Sequence, residues 1–111
     1  VDHQRVARAV KVVCRPLGPN PPREMYSYEI PQYTASESLD RGANFTANVF
    51  NTISTEHVDR KLEAFQKYTD EIEEFPHPRS VDGIINFLTY RGMCAKTEFA
   101  EAFMLMRNNK A

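Results

Sequence analysis

Two prolines within the short run Phe75-Pro-His-Pro-Arg79 place the strongest limit on how this chain can fold. Each lacks an amide donor and restricts the residue before it, so no helix runs through Pro76 and Pro78. A new helix is expected to start near Pro78. From there Val81, Ile84, Ile85 and Leu88 fall at i, i+3, i+4 and i+7, which puts four apolar side chains on one helical face. Gly92 reads as its stop. Burying that stripe is worth roughly 6–12 kcal/mol before conformational entropy is charged, as large as the net stability of a whole domain. The helix is therefore expected to pack on both neighbours, and Ile85→Asp to unfold the C-terminal half.

Before the prolines, Val58, Leu62, Phe65, Tyr68 or Thr69, and Ile72 recur at helical intervals and predict a helix from about Glu56 to Glu74, capped by Ser54 or Thr55. Its outer face sets seven acids (Glu56, Asp59, Glu63, Asp70, Glu71, Glu73, Glu74) against Arg60, Lys61 and Lys67. Leu39, Phe45, Val49, Phe50 and Ile53 predict an earlier helix between about Glu37 and Ile53, weakened by Gly42 and by Asn44, Asn48 and Asn51. Downstream, Thr97 is expected to cap a last helix with Phe99, Phe103 and Met106 as its stripe and Ala102 beside it. Arg107 and Lys110 would sit favourably at its C-terminal dipole. Short connections between such helices imply antiparallel hairpins, so residues 37–111 read as an all-α helical-hairpin domain.

Residues 1–36 read as a helix followed by a docking arm. From Asp2 to Cys14, Val6, Ala9, Val10 and Val13 share one face while Arg5, Arg8, Lys11 and Arg15 gather on the other. With no aromatic residues between those cations, a solvated or partner-facing surface is favoured over a membrane or nucleic-acid contact. Pro16, Pro19, Pro21 and Pro22, with Gly18 and Asn20, make an extended linker. Beyond it, Met25 to Tyr33 alternates Tyr26, Tyr28 and Ile30 on one side, as an extended segment does. No second strand is evident to pair with it, so a docking arm is expected rather than a sheet.

A length of 111 residues suits one domain, and a net charge of −1 gives no footprint for nucleic acid. No run approaches the roughly 18 apolar residues of a direct membrane span. Cys14 and Cys94 form no CxxC or zinc cluster and read as free thiols. A chain beginning at Val1 suggests a processed protein that has lost a targeting peptide. His3, His57 and His77 are scattered outside any metal motif, and His77 between its prolines is explained by capping. GxGxxG, P-loop and GxSxG patterns are absent. Asp70, Glu71, Glu73 and Glu74 lack EF-hand spacing and read as a solvated face. Met93, Met104 and Met106 read as adaptable packing rather than a copper site. Asn44-Phe-Thr46 matches a glycosylation acceptor, which matters only for a secreted chain. No catalytic, cofactor-binding or metal residue is nominated.

Several of these features resemble one family. Phe75, Pro76, Pro78, Arg79, Val81 and Asp82 follow the order of an apolar residue, Pro-x-Pro, a basic residue, two aliphatic positions, of which Ser80 takes the first, and an acidic residue before an apolar helix. Phe50-Asn51 precedes a long helix, and Glu98-Phe-Ala-Glu-Ala102 is similar to an acidic-Phe-Ala-x-Ala helix start. Together, from about Phe45 to Arg107, they resemble the matrix-side subunit of mitochondrial cytochrome c oxidase called Va in animals and VI in fungi. The resemblance implies a right-handed, tetratricopeptide-like superhelix and a non-catalytic structural or regulatory role. The implied place is the matrix face of the mitochondrial inner membrane. The partners would be other subunits of the respiratory complex, to which haem and copper would belong, and the lost N-terminal piece would be a mitochondrial presequence. The alternative is a small pentatricopeptide- or tetratricopeptide-like repeat module binding RNA or a protein partner. The acidic face of the longest expected helix speaks against RNA.

Overall fold

Ser80 decides where the helix after the prolines begins. Its backbone is extended, and its hydroxyl accepts a hydrogen bond from the amide of Gly83 at 2.9 Å, satisfying one of the donors that every helix start leaves open. In the structure, a computed structural model that describes residues 2–35 and 45–110, the helix that follows spans Val81–Cys94. The described elements in chain order are α1 (Asp2–Val13), β1 (Glu24–Tyr28), α2 (Pro31–Ala35), β2 (Val49–Thr52), α3 (Thr55–Phe65), α4 (Val81–Cys94) and β3 (Ala100–Asn108). The fold is mixed α/β, and the expected all-α superhelix of hairpins is not formed.

The expected Pro-flanked helix is present as α4, but with two differences. Ile84 and Leu88 are buried, whereas Val81 and Ile85 are only half-buried. Gly92 does not stop the helix; it lies inside it, where the chain returning towards β3 passes close by. A Cβ there would stand 2.5 Å from the Glu98 carbonyl oxygen, a clash no side chain tolerates. The stop comes later, in a Schellman motif: the Thr97 amide donates to Gly92 O at 2.8 Å and the Lys96 amide to Met93 O at 3.2 Å. Lys96 takes the left-handed conformation this requires, with φ of 58°.

Helix α3 begins as expected at an N-cap Ser54 whose side chain accepts from the His57 amide, and the His57 ring returns to the Ser54 amide to close a capping box. It ends at Phe65, well short of the expected Glu74. Carrying on would have put Asp70, Glu71, Glu73 and Glu74 at the negative end of the helix dipole. The chain instead turns back through residues 66–79, and Arg79 pairs with Glu71 at 2.5 Å and Glu73 at 3.4 Å. The acidic stretch is thus partly neutralised rather than a uniform solvated face.

The expected first and last helices of the hairpin domain are replaced by strands. Val49–Thr52 pairs antiparallel with β3, Val49 opposite Phe103 and Thr52 opposite Ala100. Of the earlier helix, residues 37–44 lie outside the described residues, as does Asn44 of the acceptor motif. In the C-terminal segment, Ala, Glu, Met and Leu favour helix intrinsically. Alternation wins: Ala100 and Ala102 are buried on one side while Glu101 between them reaches Lys61. Arg107 and Lys110 therefore meet no helix end. The aromatic arm also finds a partner after all, since the sheet runs in the order β1-β3-β2.

The chain divides into two compact units, Val1–Tyr26 with Leu105–Ala111, and Ser27–Met104. In the larger unit α4 packs against α2, α3 and β2. Its core is Val58, Ile84 and Leu88, bordered by Ile53, Leu62, Phe65 and Phe99. In the smaller unit the Asn109 amide donates to Arg23 O at 2.7 Å and Arg107 Nη2 to Pro22 O at 2.8 Å, while α1 buries none of its residues.

Candidate functional site

One face of α4 lines a cavity as well as the core. Ile84, Phe87, Leu88 and Arg91 stand at i, i+3, i+4 and i+7 and form one wall of a half-open space of about 420 Å³ within the larger unit. Phe65 and Lys61 of α3, Pro78 and Arg79 before α4, and Tyr28 to Gln32 from the end of β1 onward close other sides, and Ala100 to Phe103 of β3 complete it. Ala100 and Ala102, both buried on β3, line it with small side chains that leave room larger residues would take up. A volume in this range and mainly apolar walls with a few polar groups are what small-ligand pockets have in common.

Each charged side chain in the lining already has a partner within the chain. Arg91 grips Glu29 in two parallel bonds, Nε to Oε1 at 3.0 Å and Nη2 to Oε2 at 2.5 Å. Their side chains are only 13% and 8% exposed. The hydrogen bond to Glu29 raises the pKa of Arg91, which fixes its charge. Lys61 meets Glu101 at 2.5 Å across the α3–β3 boundary, and Arg79 is held by Glu71 and Glu73. One donor is left over: Arg79 Nε is buried with no hydrogen-bond partner among the described residues.

The lining carries no serine, threonine, cysteine or histidine, and both of its carboxylates are taken up in ion pairs. Such a surface can hold and orient a molecule, and its two carboxylates and its one lysine are engaged in ion pairs rather than free. Among the described residues no group of three or more His, Cys, Asp or Glu side chains is placed to hold a metal ion. No protein-family model, curated protein or solved structure matches this chain.

The histidines and sulfur side chains singled out in the sequence lie elsewhere. His57 belongs to the α3 capping box and His3 is exposed on α1. His77 does not cap α4; its Nδ1 accepts from the Arg79 amide at 2.9 Å, one turn ahead of the true cap. Met93 and Met106 are exposed, and Met104 Sδ accepts from the Thr46 amide at 3.4 Å. Cys14 and Cys94 are both free thiols. The Glu29–Arg91 pair in the cavity wall went unnoticed because it is long-range: the two residues are 62 apart in sequence. The available signal was the apolar stripe itself, which ends one turn beyond Leu88 in an arginine.

Proposed function

We propose that this chain is a binding module rather than an enzyme, and that it holds a neutral, apolar small molecule in the cavity between α4 and β3. The observation that carries this reading is a mainly apolar cavity in which each charged side chain of the lining is already paired. A charged ligand would enter without a counter-ion and leave its own charge poorly solvated, whereas an uncharged one loses little on entry.

Calorimetry with 1-decanol and decanoate tests this. The alcohol is expected to bind with a negative heat-capacity change, the mark of apolar burial, and decanoate at least tenfold more weakly. Ile30→Trp, on the cavity wall, is expected to abolish binding while leaving the melting temperature near that of the parent. Equal binding of both ligands, or undiminished binding to the Trp variant, would overturn the reading.

An accessory subunit of cytochrome c oxidase, the narrower expectation, shares only the non-catalytic, partner-holding part of this conclusion. The run of helical hairpins on which it was built is replaced by a sheet at both ends of the hairpin domain. As a proposal it now rests on the Phe75 to Asp82 pattern and its neighbours in sequence alone. Haem a absorbance and large hydrophobic subunits co-purifying with the endogenous protein would support it. No helix among the described residues is long and apolar enough to cross a membrane.

A further inference from the structure

Helix α1 is used by neither the core nor the cavity. All of its residues from Asp2 to Val13 are exposed, so among the described residues nothing covers the face formed by Val6, Val10 and Val13 at i, i+4 and i+7. A helix of 12 residues with four valines is not stable alone in water, because nucleation is costly and β-branched side chains lose rotamer freedom in a helix. Its partner must therefore supply much of its stability.

Charge narrows the choice. Arg5, Arg8 and Lys11 lie on α1 and Arg15 just beyond it, against one acid, Asp2, in the first turn. Arg5 and Lys11 stand on the two sides of the helix, roughly 105° and 135° around it from the centre of the valine face, while Arg8 lies opposite that face. Leu17, just past the helix, is likewise exposed, at 97%. A nucleic acid would satisfy the cations and leave the valines in water. A second copy of α1 would bury the valines and set like charges together. An anionic bilayer satisfies both features at once, with an apolar layer beneath a plane of phosphates.

We propose that α1 lies in the plane of an anionic lipid surface, with Val6, Val10 and Val13 towards the acyl boundary and Arg5 and Lys11 on headgroup phosphates. This contact is peripheral and independent of the cavity. Because α1 buries nothing, substitutions there leave the folded units intact, and unchanged melting temperatures verify that for each variant.

The test is co-sedimentation of the full chain with vesicles of phosphatidylcholine alone or with about 30% phosphatidylserine, read alongside far-ultraviolet circular dichroism. The expected result is binding to the anionic vesicles at least tenfold tighter than to the neutral ones, weakened by salt and accompanied by a gain in helix. Arg5→Glu with Lys11→Glu is expected to abolish it. Val10→Asn with Val13→Asn, which leaves net charge unchanged, is expected to weaken it at least tenfold. Binding that survives the asparagine pair would reduce the contact to simple electrostatic adsorption and overturn the proposal. So would equal binding to neutral vesicles, or retention of single-stranded RNA with no affinity for vesicles.

Discussion

Replacing Arg91 by alanine leaves the Glu29 carboxylate buried with no counter-charge, and that loss is expected to cost about 3–5 kcal/mol. Urea unfolding measures it directly. Replacing both partners, Glu29→Leu with Arg91→Met, removes the unpaired charge and should recover most of the loss. If the double variant is as unstable as Arg91→Ala, the pair is contributing packing and not charge compensation. Lys96 gives the opposite expectation. A lysine at φ of 58° carries a steric cost that glycine avoids, so Lys96→Gly is expected to raise stability by about 1 kcal/mol. A lowered urea midpoint would mean that the lysine side chain contributes more than its backbone costs.

Among the elements, α4 carries the most: its residues enter the core, the cavity wall and the buried ion pair. The apolar stripe read from the sequence contains the right helix and two of the right residues. Ile84 and Leu88 are buried, while Ile85 is only half-buried. The decisive substitution therefore shifts from Ile85 to Leu88. Leu88→Ala is expected to cost about 2–5 kcal/mol and Ile85→Ala distinctly less, compared by thermal melting. Equal losses would return Ile85 to the core. The strand β3 illustrates the opposite outcome. Its composition favours helix, but the sheet takes it because Ala100 and Ala102 are small enough to pack under other elements while Glu101 reaches Lys61.

At the scale of the whole molecule, the larger unit holds the core and cavity, and the smaller unit carries a helix that buries nothing of itself. Removing residues 2–13 is accordingly expected to leave the melting temperature within about 2 °C of the full chain, since surface changes rarely exceed about 0.5 kcal/mol. A larger fall would show that α1 stabilises the fold. The same truncation should leave 1-decanol affinity unchanged, which separates the cavity from the helix experimentally.

What the sequence determined by itself was local. A new helix opened just after Pro78 as expected, Ser54 capped α3, and the 3.6-residue period located α4 and α1. These features depend on neighbours a few residues away, so one stretch of chain contains the whole cause. Tertiary structure alone decided the rest. Val49–Thr52 and Ala100–Asn108 became strands because each found the other, half the chain away. The asparagines at 48 and 51 had already weakened the helical reading of the first, but nothing local marked the second. Glu29 and Arg91 met for the same reason, and with them the cavity took form. Pairings at such separation are set by what the rest of the fold brings together, and no periodicity along the chain records them.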